Sequence, residues 1–370
     1  MKKFEIRKMN VKDLSTLKDS WKLCLQSSDA NPLFSSWIWQ NTWWEIWQPR
    51  LNLDLLLLGL YQNEHLIGLA PCYTYEFKNI FNLKTIRCEF IGNYLANDDS
   101  IRSEYLDFIL PKNDSSVLLQ LIFDYLKKSN IDECVFSDML QASESSKWLN
   151  KNYKIRKQYF CESIQIETVK SFESYLTILG KNTRLKLFNR RKLLNSVQVL
   201  SLENDVAIDD FFTLLNDMHV KRWSKKCFAV HSLTFHKNIS SHFNKLGFLR
   251  SLSLLEEGEA KAVCYDIEVE GVCYNIQLGF ELGYDSKISM GTLMLGYAIE
   301  SAFNKDSINE YDLLAGGGKK TFYKDRFKGN KKSLTTIVLP LSTNSKILFL
   351  IMTPIIFIKF KIKKFLKRKT

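Results

Sequence analysis

An internal repeat limits the folds open to this chain more than any other feature of its sequence. In the first half, β-rich runs flank a polar turn at residues 62–65, and in the second half similar runs flank residues 256–259. Each pattern predicts a β-hairpin. Downstream of each hairpin, an apolar helical segment precedes a short strand, and these segments align without gaps at the offset of 177 residues that separates Ile131 from Ile308. The repeat predicts two copies of one α/β unit.

Length and composition agree with this prediction. The chain has 370 residues, of which 45% are hydrophobic and 25% charged, which excludes a disordered chain and suits two domains of roughly 100–200 residues. Unrelated α/β halves would share a similar coarse pattern. We therefore predict an α/β (α+β) fold of two tandem domains with mixed sheets flanked by helices. The predicted N-terminal domain is 1–165, the C-terminal domain is 166–340, and an apolar and basic tail follows at 341–370.

The excess positive charge lies in the tail. Residues 326–370 hold twelve of the 52 basic residues and no acidic residue, so 52 − 12 = 40 basic residues balance 40 acidic residues in the body. This distribution argues against a surface coated by nucleic acid. As a helix, the apolar run 347–358 would span roughly 18 Å, less than the roughly 30 Å core of a bilayer. The segment 347–370 therefore predicts either attachment to an anionic membrane surface or docking on the body.

Several kinds of site are excluded by missing motifs. Walker A, Rossmann, HExxH and GxSxG patterns are absent, and the five histidines have no partner cysteine or acidic cluster, so we predict no metal site. The eight cysteines show no CxxC or metal-ligand spacing, and the charged segment 1–10 has no apolar core. These features predict a reduced, cytoplasmic protein without a signal peptide.

Two regions are expected to be helical. In residues 35–47, Trp39, Trp43 and Trp47 recur at helical spacing, which is typical of core packing and also fits one ring lining the acceptor cleft. Residues 170–228 are expected to form helices, and the first of them carries a basic run over residues 181–192. This run fits either a solvated helix face or a phosphate-binding face.

A strand, a loop and a helix start form the best candidate ligand site. The strand ends near Gln277 and Gly279, and the helix opens with Ser289, Gly291 and Thr292. A helix start offers unpaired N–H groups and a positive dipole end, Ser289 can act as the N-cap, and glycine lets a ligand approach the backbone. Such a site suits a pyrophosphate, although most helix starts of this composition only cap a helix.

Five pieces of the sequence, in this order, resemble the CelD-like branch of the GNAT acyltransferases, which is related in fold to the FemAB-type transferases. They are the aromatic segment 32–37 with Trp43 and Trp44, the basic helix 184–191, residues 219–223, residues 289–293, and residues 311–317 with 323–327. The resemblance covers residues 30–330. Met290 stands where the family commonly has proline, and Gly318 to Lys320 stand where it often has an acidic residue.

The resemblance implies two GNAT-like domains, an acyl-CoA donor and transfer of the acyl group to an amine. The amine attacks the thioester directly, so the site needs a base, donors for the oxyanion and an acid for the thiolate. The candidate catalytic residues are His219 as the base, Tyr311 or Tyr323 as the acid, and Asp312 to orient the amine. The candidate donor-binding residues are Gln277, Gly279, Ser289, Gly291 and Thr292. The candidate acceptor-binding residues are Arg222, Trp223 and Lys324. A core role for His219 and simple packing for Tyr323 compete with these assignments.

We therefore predict an N-acetyltransferase that uses acetyl-CoA as co-substrate and an amine-bearing small molecule or sugar, such as a polysaccharide or cell-envelope precursor, as acceptor. The expected location is cytoplasmic, peripheral at the inner face of the membrane if the tail binds lipid. Two alternatives remain open. One is a FemAB-type transferase that uses aminoacyl-tRNA and contacts it through residues 181–192. The other is a membrane-attached binding protein with a degenerate GNAT fold.

Overall fold

The chain forms two compact units that are not contiguous in sequence. The computed structural model describes residues 3–78, 82–94, 100–193, 197–201, 207–284, 287–315 and 321–351, without the side chains of 156–159, 193, 197–201 and 321–323. Unit 1 comprises residues 1–93, 105–160 and 335–370, and unit 2 comprises residues 94–104 and 161–334. The prediction assigned residues 94–104 and 161–165 to the N-terminal domain, but they belong to unit 2. It assigned residues 335–340 to the C-terminal domain, but they belong to unit 1.

Unit 1 is built around a mixed sheet. Its elements are β1 (Phe4–Met9), α1 (Val11–Thr16), α2 (Lys18–Gln26), α3 (Trp37–Leu51), β2 (Asp54–Gln62), β3 (His65–Lys78), β4 (Lys84–Phe90), α4 (Ser115–Lys128), β5 (Glu133–Leu140) and α5 (Glu144–Asn152). The strands follow the order β1-β2-β3-β4-β5. All neighbours are antiparallel except β4 and β5, which pair in parallel. The predicted first hairpin is confirmed, and its turn residues Asn63 and Glu64 adopt the left-handed conformation that tight hairpin turns require.

The tryptophan-rich helix α3 packs into the core of unit 1, as its spacing predicts. It begins after Ser36, whose hydroxyl accepts a hydrogen bond from the backbone N–H of Trp39. Trp39, Trp43 and Trp47 are all buried. The Trp43 ring stacks on Trp47 at 5.5 Å and on Tyr73 of β3 at 5.3 Å between centroids. These rings therefore anchor α3 to the sheet.

Unit 2 likewise contains parallel and antiparallel strands. Its elements are β6 (Arg156–Glu167), α6 (Phe172–Ile178), α7 (Lys181–Leu187), a 3-10 helix (Asn189–Leu193), β7 (Val197–Ser201), α8 (Ile208–Trp223), α9 (Val230–Lys245), β8 (Leu249–Glu256), β9 (Glu259–Val269), β10 (Val272–Phe280), α10 (Met290–Phe303), β11 (Glu310–Asp312) and a 3-10 helix (Thr321–Phe327). The order is β7-β8-β9-β10-β11-β6, and β10 and β11 pair in parallel. Strand β6 begins in unit 1 and continues into unit 2, and β12 (Asn330–Pro340) begins in unit 2 and ends in unit 1.

The two units share one topology, as the repeat predicts. In unit 1, β1 and its helices precede the antiparallel strands β2, β3 and β4, then α4 and the parallel strand β5. In unit 2, β7 and its helices precede β8, β9 and β10, then α10 and the parallel strand β11, and β6 with its helices is added before β7. The prediction of helices throughout 170–228 is wrong at β7. This strand pairs antiparallel with β8 from Val197 opposite Glu256 to Ser201 opposite Leu252.

The predicted basic run is divided between α7 and the following 3-10 helix, and two of its arginines bind within unit 2. The Arg191 guanidinium forms an ion pair with Glu300 of α10, and Arg184 donates to the Leu176 carbonyl at 3.3 Å. A Cβ on Gly296 of α10 would lie 2.1 Å from the Leu187 carbonyl oxygen, so glycine permits the close packing of α7 on α10. This part of the run therefore stabilises the fold.

A buried histidine makes the stability of unit 2 depend on pH. His236 of α9 lies against Phe228 at 4.0 Å between ring centroids, and burial lowers its pKa from the ordinary 6.5 to about 3. The unfolded chain therefore binds a proton below pH 6.5 that the folded chain excludes, and the free energy of unfolding falls as the pH falls. We expect a loss of about 2 kcal/mol between pH 7.5 and pH 5.

Urea denaturation at these two pH values measures this loss. The variant His236→Phe carries no titratable group at this position. It is expected to reduce the difference in unfolding free energy between the two pH values by about 2 kcal/mol. An unchanged pH dependence in the variant would contradict the assignment.

Most of the predicted tail, from residue 352 onward, lies outside the described residues. Residues 343–351 are helical, and residues 352–370 are not described. Within the described part of the chain, no helix combines the length and the apolar character that crossing a bilayer requires. The membrane-surface role of 347–370 therefore stays a prediction.

Candidate functional site

Strands β10 and β11 separate in the middle of the sheet of unit 2. They pair from Val272 opposite Glu310 to Tyr274 opposite Asp312, where β11 ends, while β10 continues to Phe280. A bulge interrupts the pairing of β10 with β9 between Asn275 and Gln277. Two parallel strands that separate in this way leave backbone groups of β10 beside a gap, and such a bulge redirects the strand at its edge.

His219 joins helix α8 to this part of β10. Its Nε2 lies 3.1 Å from the carbonyl oxygen of Leu278. Because a carbonyl can only accept, Nε2 carries the hydrogen and Nδ1 carries the lone pair in the neutral ring. Burial lowers the pKa of His219, and Arg222 lowers it further, against the opposing effect of the hydrogen bond to Leu278. His219 is therefore neutral at pH 7, with Nδ1 able to accept a proton.

Arg222 lies at the end of β10, close to the start of α10. Its guanidinium sits over the Phe280 ring at 4.2 Å and over the Trp223 ring at 4.6 Å. Trp223 is 61% exposed. Phe280 in turn packs on Gly291, where a Cβ would lie 2.3 Å from the ring. The Phe280 ring thus lies between the positive charge of Arg222 and the first turn of α10.

The start of α10 differs in two respects from its predicted form. Ser289 is the N-cap residue but makes no side-chain hydrogen bond to the helix backbone, and its hydroxyl instead lies 3.1 Å from that of Thr292. Gly291 was expected to admit a ligand to the backbone, but the Phe280 ring occupies the space where a Cβ would lie. Sequence could not reveal this contact, because it joins the end of β10 to a helix across a loop.

Gln277 and Gly279 stabilise β10 in the structure. The Gln277 side-chain oxygen accepts a hydrogen bond from the Leu278 N–H at 3.0 Å. A Cβ on Gly279 would lie 2.8 Å from Leu215 of α8. The absence of a side chain at Gly279 therefore lets α8, with His219, lie directly on the strand.

Tyr311 and Asp312 are both fully buried. The Tyr311 hydroxyl donates to Asp266 at 2.9 Å, and burial raises its pKa well above the ordinary value. Asp312 accepts from Gln165 at 2.8 Å and from the Leu314 N–H at 2.7 Å. These positions give both residues a packing role and keep the Tyr311 hydroxyl away from solvent.

Lys324 is buried as well. Its ammonium donates to the carbonyls of Leu313, at 2.8 Å, and Leu314. Near it lies Glu104, which no sequence pattern singled out and which accepts a hydrogen bond from the Ala315 N–H at 2.6 Å. The side chain of Tyr323 lies outside the described residues. Of the predicted residues, the structure thus brings His219, Arg222 and the start of α10 to the end of β10, and it puts Asp312 and Lys324 together in a separate cluster after β11.

A family comparison identifies the domain type of this region. Residues 181–328 match the model of the acetyltransferase (GNAT) domain. The match runs from α7 to the second 3-10 helix and contains β10, α10 and His219. Unit 2 therefore carries the fold of a GNAT acyltransferase. No protein of curated function matches the sequence.

Solved structures share the fold over most of the chain. FemX matches with a TM-score of 0.58 at 9% identity, covering 90% of this chain and 96% of that one. A conserved protein of unknown function from Bacteroides thetaiotaomicron matches with 0.51 at 8% identity, covering 91% and 100%. The C-terminal domain described as that of a lysylphosphatidylglycerol synthetase from Agrobacterium fabrum matches with 0.51 at 8% identity, covering 92% and 96%. At these identities the matches show the fold alone.

Proposed function

We propose that unit 2 transfers an acetyl group from acetyl-CoA to an amine. The observation that carries this proposal is the GNAT domain at residues 181–328, in which a neutral histidine lies on the strand that borders the gap between β10 and β11. GNAT domains generally use acyl-CoA. The CelD-like resemblance supports a sugar or cell-envelope precursor as the acceptor.

In the proposed reaction, His219 accepts the proton that the amine must lose. The amine nitrogen attacks the thioester carbon, the C–N bond forms, and the C–S bond breaks to release the CoA thiolate. The proton of the attacking nitrogen passes to Nδ1 of His219, because Nε2 is held by the Leu278 carbonyl. The thiolate then needs a proton, and since Tyr311 is buried against Asp266, Tyr323 stays the predicted acid.

For the donor phosphates, we propose the start of α10 together with Arg222. Helix α10 has no acidic residue in its first turn, and its dipole places partial positive charge there. Arg222 was predicted to bind the acceptor, but its contact with Phe280 favours the donor side. The ammonium of Lys324 is bound to two carbonyls, so we no longer propose it as an acceptor-binding residue.

An acetylation assay with a panel of amines, including amino sugars, tests the proposed function through the release of free CoA. Arg222→Glu is expected to raise KM for acetyl-CoA about 10- to 150-fold, since a charge-assisted hydrogen bond contributes about 1.5–3 kcal/mol. Lys221→Glu, one residue earlier in α8, is the matched control and should leave KM unchanged. CoA binding without turnover on any amine would favour the non-catalytic alternative.

A FemAB-type transferase that uses aminoacyl-tRNA is the second candidate, because the fold match to FemX extends over both units. In the run 181–192, the exposed residues Lys181, Lys186 and Lys192 would then contact RNA. This candidate predicts tRNA binding whose affinity falls steeply with salt. A filter-binding titration over a range of salt concentrations measures this affinity. An affinity that does not change with salt would contradict this candidate.

The tail supports a further proposal about location. We propose that residues 347–370 attach a cytoplasmic protein to the inner face of the membrane. Flotation with anionic liposomes, with and without residues 345–370, is expected to show loss of binding on truncation. Equal flotation of both forms would contradict it.

A further inference from the structure

The turn after β11 is formed by Leu313, Leu314 and Ala315 and has an unfavourable backbone conformation. None of these residues has a role in the proposed reaction. Leu314 has φ 52°, in the left-handed region that residues with a Cβ rarely adopt. Such strain persists only where surrounding contacts enforce it, and it is concentrated at functional sites.

Charged side chains bind four consecutive backbone groups of this turn. The Leu314 N–H donates to Asp312 at 2.7 Å, and the Ala315 N–H donates to Glu104 at 2.6 Å. The ammonium of Lys324 donates to the carbonyls of Leu313, at 2.8 Å, and Leu314. The turn is thus held through both its donors and its acceptors.

The three charged residues are themselves buried and supported. Glu104, Asp312 and Lys324 are 3%, 0% and 7% exposed. Gln165 donates to the second oxygen of Asp312 at 2.8 Å, and Arg102 approaches Glu104 at 3.7 Å. One positive and two negative groups therefore meet in a buried cluster, with the partly exposed Arg102 at its edge, and the loss of one buried charge leaves another uncompensated.

The position of the turn connects this cluster to the site. Strand β11 ends at Asp312, where β10 and β11 stop pairing, so the turn begins at the point where the strands separate. We propose that Glu104, Asp312 and Lys324 are positioning residues that hold Leu314 left-handed and thereby fix the β11 side of the gap in which acyl transfer occurs. This inference rests on the proposed function.

A double-mutant cycle between Lys324→Met and Leu314→Gly tests this inference, because glycine adopts positive φ without a clamp. In the Leu314 background, Lys324→Met is expected to lower kcat about a hundredfold, the scale of a small misplacement at a reacting centre, with little change in KM for acetyl-CoA. In the Leu314→Gly background, the loss of kcat caused by Lys324→Met is expected to be about five- to thirtyfold smaller. This factor corresponds to the penalty of a left-handed residue with a Cβ. Lys331→Met, at an exposed lysine of β12, is the matched control and should leave kcat unchanged.

Urea unfolding of the same four proteins separates this proposal from the proposed function. If no acetyl transfer is found, the proposed function fails, but non-additive unfolding free energies would still support the clamp. If the two substitutions have additive effects on both kcat and the free energy of unfolding, the proposed clamp is overturned. If their effects on unfolding are non-additive but kcat is unchanged, the positioning role is overturned. If Lys324→Met does not fold, Glu104→Gln replaces it in the cycle, since it keeps an acceptor oxygen for Ala315 and removes only the charge.

Discussion

Replacing His219 with alanine is expected to lower kcat for acetyl transfer by about 10²–10⁴-fold, the usual contribution of a general base. Nδ1 is the nitrogen that can take the proton, since Nε2 donates to Leu278. Because burial lowers the pKa of His219 below 6.5, the wild-type enzyme should keep its activity as the pH falls to 6.5 and lose it only at lower pH. Steady-state kinetics from pH 5 to pH 8 measure both effects.

A second variant at this position distinguishes a base from an anchor of β10. His219→Gln keeps an N–H donor for the Leu278 carbonyl but has no basic nitrogen. We expect it to be as inactive as His219→Ala and to have lost the acid limb of the pH profile. If glutamine restores most of the activity, His219 serves to hold the strand, and the base lies elsewhere.

Replacing Trp43 with alanine is expected to lower the free energy of unfolding by about 3–5 kcal/mol, the cost of deleting a large aromatic side chain from a core. Trp43 is fully buried and stacks on both Trp47 and Tyr73, so its removal separates α3 from β3. Urea denaturation followed by fluorescence measures this loss.

Fluorescence suits this measurement because seven of the eight tryptophans lie in unit 1. Trp223→Ala is the control at an exposed position, where a change within about 0.5 kcal/mol is expected. A loss below about 1 kcal/mol for Trp43→Ala would contradict the core assignment.

The features that local sequence determines were predicted correctly. Both hairpins and the buried tryptophan face of α3 depend on residues close together in the chain. Strand β7 was missed because its identity depends on pairing with β8, about fifty residues later. Burial at the end of β11 likewise depends on neighbours that only the sheet order supplies. Sequence therefore could not show that the hydroxyl of Tyr311, one of the two candidate acids, donates to Asp266 in the core.

The parts of the site that sequence could not supply are contacts between distant segments. The hydrogen bond from Ala315 to Glu104 joins residues 211 apart. Phe280 fills the space at Gly291 only because β10 and α10 meet there. His219 was selected for its chemistry, but the nitrogen available as a base follows from its contact with Leu278. Residue types thus suggested the chemistry, and packing determined which atoms are free to perform it.

Calorimetric titration with acetyl-CoA tests whether the donor binds at the start of α10. The proteins compared are the full chain, Gly291→Trp and Gly180→Trp. Gly180 is the matched control, since it precedes α7 with φ −61° and no atom lies within 4 Å of a Cβ built there. A tryptophan at Gly291 would displace Phe280 from the start of α10. We predict micromolar binding to the full chain and to Gly180→Trp, and its loss in Gly291→Trp. The absence of heat with acetyl-CoA, CoA and longer acyl-CoAs would contradict the donor assignment.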